Sequence, residues 1–173
     1  MKYISIVSAV TLSLGLLSIP VVWSDSERFS SSFNSNYKEE CGSCHIAFPA
    51  GLLPERSWSK ILNNLDDHFG DNAELDEDSL KQINNFLSNN SSDKSSYRKA
   101  SKFSRSIPRN KTLIRITDIP YFKHEHDEIP MQMIVNNPKV KTLSRCEACH
   151  SGAEKGRFDE DDINIPGYGR WDD

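Results

Sequence analysis

The sequence predicts a mainly α-helical fold. Apolar residues recur at helical spacing in the first half, whereas prolines and glycines interrupt the second half. Only 36% of the 173 residues are hydrophobic, and many of these lie in the first 24 positions. The rest of the chain is poor in apolar side chains, so its core needs another source of apolar surface.

The first 24 residues have the features of a secretory signal peptide. One lysine precedes an apolar stretch, which ends in small residues before Asp25. The alternative is an uncleaved membrane anchor, because the stretch from Ile4 to Trp23 is about long enough to cross a bilayer. Pro20 and the cleavage site favour removal. We therefore expect export to the periplasm and no membrane span in the mature chain.

Cleavage would leave 149 of the 173 residues, enough for one domain or two small ones. It would also remove Lys2, the only charged residue of the segment, and so change the formal net charge from −4 to −5. A mildly acidic exported chain is not expected to bind nucleic acid.

All four cysteines lie in two CxxCH runs, at 41–45 and 146–150. In an exported protein, cysteine pairs can form local disulfides or redox-active sites, and paired CxxC knuckles can bind zinc. Zinc knuckles are usually about 15 to 20 residues apart, whereas roughly a hundred separate these pairs. Neither zinc nor a disulfide accounts for a histidine directly after both pairs.

CxxCH is the attachment site of a c-type haem: the thiols add to two vinyl groups, and the histidine becomes the proximal iron ligand. The sequence therefore predicts two covalently attached haem c groups. Their attachment residues are Cys41, Cys44, Cys146 and Cys149, and their proximal ligands are His45 and His150. Two large apolar macrocycles would also supply the missing core.

A distal ligand for the first haem is predicted from a helical pattern after Pro54. The apolar positions of this pattern are Trp58, Ile61, Leu62, Leu65 and Phe69, and Gly70 supplies a stop. His68 falls on the apolar face of the predicted helix. A histidine on such a face is usually a core residue, but a haem bound in the same segment makes a ligand the better interpretation.

The distal ligand of the second haem has several candidates between Pro120 and Pro130 or just beyond. They are His124, His126, Met131 and Met133. The prolines predict a short extended or one-turn element, in which spacing does not choose between the two histidines. Histidine is favoured over methionine, because methionines are more often packing residues.

Three further segments organise the rest of the chain. A helix is predicted from near Asp76 to near Leu87. A polar, serine-rich linker is predicted over 91–111, and the basic side chains between 94 and 115 have no acid among them. The simpler interpretation of these cations is a solvated linker; the alternatives are a docking strip for an acidic redox partner or counter-charges for haem propionates. The acidic run 159–162 is expected to be a solvated face rather than a calcium loop.

The chain resembles the small periplasmic dihaem cytochrome c family in three blocks. These are CGSCHIAFPAGLLPERSWSKILNNLDDHFGDNAELDED, RITDIPYFKHEHDEIP and PKVKTLSRCEACHSGAEKGRFDEDDINIP. The resemblance implies a class I cytochrome c-like helical domain over 25–90 and a smaller, irregular haem-binding domain over 112–173. It also implies two histidine ligands on each iron.

In the family pattern, the first distal histidine matches His68 in LDDHFG. The second lies four residues after the phenylalanine that matches Phe122, which selects His126. His124 occupies a position that is usually not histidine and remains the alternative ligand.

The resemblance implies low-potential electron transfer, commonly from a membrane cytochrome b to a small monohaem cytochrome that can bind oxygen. An alternative is a dihaem peroxidase or small-molecule reductase, in which one iron has an open position. A haem-based sensor or a purely structural domain is a third hypothesis.

Overall fold

The computed structural model describes residues 28–30 and 34–171, and it confirms the predicted mainly helical fold. Six α-helices are present in this part of the chain: α1 (Ser35–Cys41), α2 (Glu55–Leu62), α3 (Glu77–Asn90), α4 (Arg98–Ser106), α5 (Pro120–His124) and α6 (Gln132–Val135). Two short antiparallel strands, β1 (Asn164–Ile165) and β2 (Gly169–Arg170), lie near the C-terminus. The predicted signal peptide lies outside the described residues. No helix within them is long and apolar enough to span a membrane.

The N-terminal part is built from α1, α2 and α3, with α3 packed against both of the others. The side chain of Asp76 caps α3 by accepting hydrogen bonds from the next turn, and Ile83 and Leu87 are almost fully buried beneath it. Tyr37 of α1 is buried against Phe86 of α3, with ring centroids 5.3 Å apart. The helix predicted from near Asp76 to near Leu87 is present and extends to Asn90.

The helix predicted to run from Pro54 to Gly70 is shorter than expected. It ends at Leu62, and a 3₁₀ turn over Leu65–Asp67 follows. Asn64 donates a side-chain hydrogen bond to the Asp67 carbonyl, which is 3.0 Å away. Asparagine and aspartate side chains offer the backbone such local alternatives to the helix, which is why the pattern overestimates its length. His68 therefore lies outside the helix and not on its apolar face.

The segment predicted as a linker, 91–111, contains helix α4. Although the segment is polar, it places Ala100, Phe103 and Ile107 on one side of the chain, where all three are buried in the core. Three apolar residues at positions i, i+3 and i+7 are sufficient to fix this helix to the rest of the fold. These residues are part of the packed structure; the division of the chain into domains remains a prediction.

Candidate haem-binding sites

The histidine of the first CxxCH motif faces the histidine predicted as its distal ligand. The rings of His45 and His68 have centroids 6.3 Å apart and planes inclined by 23°. Metal–nitrogen bonds of about 2 Å and a ring radius of about 1.1 Å place the centroids of two imidazoles on opposite sides of one metal about 6 Å apart. The spacing of this pair fits one iron between the two rings.

His45 is held in a single orientation by its immediate neighbours. Its Nδ1 donates a hydrogen bond to the carbonyl of Ile46, 2.7 Å away, and its ring stacks on Phe48 with centroids 4.9 Å apart. A histidine that donates from Nδ1 keeps the lone pair of Nε2 free to bind a metal. The residues just after the motif, Ile46 and Phe48, therefore orient the predicted ligand His45.

A tight turn, rather than a helix, presents His68. The backbone N–H of His68 donates to the Asp71 carbonyl at 2.7 Å, and the N–H of Gly70 donates to the Asp67 side chain at 3.0 Å. Phe69 and Gly70 both have positive φ, 60° and 107°. Phenylalanine rarely adopts this left-handed conformation, so the turn holds local strain directly beside His68.

The second CxxCH histidine faces His126. The rings of His126 and His150 have centroids 6.2 Å apart and planes inclined by 71°. Nδ1 of His126 donates to the Phe122 carbonyl at 2.8 Å, and its ring stacks on Phe122 with centroids 4.0 Å apart. This pair has the same separation as the first, and one nitrogen of His126 is again committed to a carbonyl.

The other candidates for the second site are placed less favourably. His124 ends α5 with a side chain that is 77% exposed, and its Nδ1 lies 3.7 Å from the Asp127 carboxylate. Met131 is 54% exposed, and neither it nor Met133 is among the described residues that line the cavity around His150. His124 also lines this cavity, but among the described residues the ring that faces His150 is that of His126.

A cavity with mainly apolar walls surrounds the second histidine pair. Its lining includes Leu52, Phe103, Ile116, Phe122, Ile134, Val140, Cys146, Cys149, His126 and His150. His150 is largely buried in this cavity, and its Nδ1 has no hydrogen-bond partner among the described residues. An apolar enclosure with two cysteines and two facing histidines fits a covalently attached haem.

Burial keeps the inner histidines neutral at physiological pH. It lowers the pKa of His150 to about 4, with smaller contributions from nearby His126 and Lys99. Burial also lowers the pKa of His68, and the neighbouring His45 acts in the same direction. Because a metal binds the neutral imidazole, these shifts favour ligation.

The buried cysteines of the two motifs differ in pKa from those of redox-active pairs. Burial raises the pKa of Cys41 to about 11 and that of Cys146 to about 12, and none of the four cysteines forms a disulfide. Redox-active CxxC sites instead have cysteines with a lowered pKa. The structure therefore gives no support to a redox-active disulfide at either motif.

Comparison with known families agrees with this geometry. A family profile described as dihaem cytochrome c matches residues 37–158, which include both CxxCH motifs and both histidine pairs. The chain belongs to the dihaem cytochrome c family. This dihaem cytochrome c therefore carries two covalently bound haem c groups and has the electron-transfer role of its family, as predicted.

Solved structures give the same result. A dihaem cytochrome c from Shewanella baltica OS155 is 44% identical, with a TM-score of 0.66 over 80% of this chain and 98% of its own. A dihaem cytochrome c from Rhodobacter sphaeroides is 40% identical, with a TM-score of 0.64 over 72% of this chain and 96% of its own. A search of curated protein sequences finds no match.

Some supporting residues of this dihaem cytochrome c are missed by the motif analysis. Phe122 provides both the stacking ring and the carbonyl that orient His126, and its spacing of four residues on a helical turn could have indicated the contact. Phe48 and Phe158 similarly pack against His45 and His150. Phe158 lies eight residues after His150, outside any regular helix, so the sequence spacing does not indicate this contact.

Proposed function

We propose that this dihaem cytochrome c is a low-potential periplasmic electron carrier with two histidine ligands on each iron. His45 and His68 would bind the first iron, and His150 and His126 the second. The thioether links would come from Cys41, Cys44, Cys146 and Cys149. The observation that carries the proposal is the separation of the two ring pairs, 6.3 and 6.2 Å, because each leaves room for one iron and for no further ligand.

Two histidine ligands also account for the proposed low potential. When bound, each haem supplies an iron that is reduced and reoxidised by one electron. The protein's contribution is to hold the imidazoles, and histidine in place of methionine keeps the potential lower. Apolar side chains contribute most of the wall around the second pair, and such a wall influences the potential only through the local polarity that it sets.

The segment 112–116 passes near both predicted distal histidines. Thr112 and Ile114 line a groove that includes His68 but not His45, whereas Ile116 lines the cavity that contains His126 and His150. The short stretch of chain between these positions supports electron exchange between the two haems within the molecule.

The proposed partners and location rest on resemblance and on the N-terminal segment. A small monohaem cytochrome is the proposed acceptor and a membrane cytochrome b the proposed donor, both from the family resemblance. The periplasm follows from the signal peptide, which lies outside the described residues.

The experiment that tests the function is the visible spectrum of the haem-loaded protein, oxidised and dithionite-reduced, with carbon monoxide added to the reduced form. Two low-spin haems that ignore carbon monoxide are expected, because each iron already has two nitrogen ligands. A high-spin or carbon-monoxide-reactive haem would contradict the proposal and would favour a peroxidase or reductase with an open iron.

The angles between the rings predict different magnetic behaviour for the two oxidised haems. Two iron d orbitals can interact with the imidazole π systems. At 23°, both imidazoles of the first pair interact with nearly the same one of them, so the two orbitals differ in energy and an ordinary rhombic low-spin signal is favoured. At 71°, the second pair acts on both orbitals, leaves them close in energy and favours a highly anisotropic signal. Electron paramagnetic resonance of the oxidised protein should show one signal of each kind; two identical signals would contradict the prediction.

A further inference from the structure

The outer face of helix α4 is a stripe of positive charge. Arg98, Lys102 and Arg105 follow one another at i, i+4 and i+7, and all three side chains are exposed. Arg109, also exposed, continues the stripe beyond the helix. Because no acidic residue occurs between 94 and 115, the segment itself offers nothing to neutralise these cations.

The contacts around the stripe leave most of its charge uncompensated. Lys102 donates to the neutral Tyr121 hydroxyl at 3.1 Å and lies 5.1 Å from the centre of that ring. Arg98, Arg105 and Arg109 form no ion pair with any residue that the structure describes. Lys94 differs, because it pairs with Glu55 at 2.8 Å, and it is therefore not part of the stripe.

The acids Asp118 and Glu125 of the adjoining α5 segment have other direct partners, although Glu125 shares the Tyr121 hydroxyl with Lys102. Asp118 lies 3.3 Å from the Lys123 ammonium. Glu125 accepts a hydrogen bond from the Tyr121 hydroxyl at 2.8 Å and lines the cavity of the second site. Neither forms an ion pair with the arginines of the stripe.

The inner face of the same helix borders the second haem site. Lys99 and Phe103 line the cavity that contains His126 and His150, and Ala100 is fully buried beside them. An α-helix with its side chains is about 10–12 Å across. A protein seated on the stripe would therefore be separated from the second site by a single helix.

We propose that the outer face of α4, residues Arg98, Lys102, Arg105 and Arg109, docks an acidic redox protein that exchanges electrons with the second haem. The inference rests on the proposed carrier function. Charge complementarity identifies the partner class: a cationic patch raises the encounter rate of an anionic protein by about 10- to 1,000-fold and lowers that of a cationic one. The buried inner face of α4 packs beside the second haem site, so the helix keeps the exposed cations of its outer face close to that site.

The test measures the reduction of the oxidised, haem-loaded protein by an acidic flavodoxin in its fully reduced form, followed by stopped flow. Each transfer moves one electron from the flavin to a ferric haem, which becomes ferrous. The variant Arg98→Gln/Lys102→Gln/Arg105→Gln should slow this reaction at least tenfold at low ionic strength, and added salt should slow the wild type but not the variant.

A matched variant controls for net charge. Lys38→Gln/Lys81→Gln/Lys139→Gln removes the same number of charges from exposed lysines on other parts of the surface. It should slow the reaction by less than about twofold if the stripe is the docking surface. A basic mitochondrial-type cytochrome c, used as oxidant of the reduced protein, should show no loss of rate in the stripe variant.

The possible failures are distinguishable. Equal slowing by the two triple variants, or no slowing by either, would overturn the docking surface. Both variants should keep the visible spectrum of the wild type, which shows that they fold and bind haem. If the wild type cannot be reduced by dithionite and reoxidised by ferricyanide, the proposed carrier function is wrong. If it cycles normally but the stripe variant reacts no more slowly than the control variant, only the proposed docking surface is wrong.

Discussion

Replacement of His126 with alanine in the haem-loaded protein is expected to open one of the two irons. The reduced variant should bind carbon monoxide at one haem, so that half of the total haem changes its spectrum. The physical reason is that His126 lies opposite His150 at 6.2 Å and is oriented by both the ring and the carbonyl of Phe122. A carbon monoxide titration followed in the visible region measures the effect.

His124→Ala is the matched control for this experiment. The two histidines are two residues apart, but the His124 side chain is 77% exposed and lies beside Asp127. Its removal should leave both haems low-spin and unreactive towards carbon monoxide. The reverse pattern, with carbon monoxide binding only in His124→Ala, would mean that His124 is the ligand and that the assignment of His126 is wrong.

Replacement of His68 should have an equally large effect at the other haem. His68→Ala is expected to leave the first iron with a single protein ligand, His45, and to make that haem reactive towards carbon monoxide. Because His68 lies in a turn rather than in a helix, alanine at this position removes no intrahelical packing. The stability of the fold should therefore change much less than the haem spectrum.

The variant His68→Met tests the effect of replacing the predicted ligand by a different ligand instead of removing it. Methionine can bind the iron in place of histidine and raises the potential. At a fixed solution potential, the ratio of reduced to oxidised first haem should rise at least tenfold. This corresponds to an increase of about 60 mV in the midpoint potential of a one-electron couple. Spectroelectrochemical titration should show one haem moved and the other unchanged. A variant with both potentials unaltered would exclude His68 as a ligand.

The two CxxCH motifs are local features of the sequence, and haem attachment was predicted from them without the tertiary structure. The spacing of two cysteines and a histidine within five residues is set by the chemistry of one porphyrin edge, so it needs no tertiary structure. The comparisons confirm the family and both haem groups. The five distal candidates, one for the first haem and four for the second, could also be identified, because histidine and methionine are the residues that usually complete such an iron.

The helical pattern used to select His68 as a ligand was wrong. The pattern placed it on a helical face, whereas the helix ends at Leu62 and a strained turn presents the imidazole to His45. Side-chain competition by Asn64 and Asp67 decided this, and periodicity does not register such competition. The assignment of His68 as a ligand remains a prediction for the variants above to test.

What the sequence by itself determined is therefore the number of haems and the mainly helical class, and it predicts the four attachment cysteines; all of these follow from short-range spacing. Only the tertiary structure decided which side chains face one another. It set His126 opposite His150, a choice that spacing left open and that the family resemblance favoured, and it turned a polar segment into α4, with cations outside and the second cavity inside. The physical reason is that ligand pairing and burial join residues far apart in the chain, so they depend on packing that no local pattern contains.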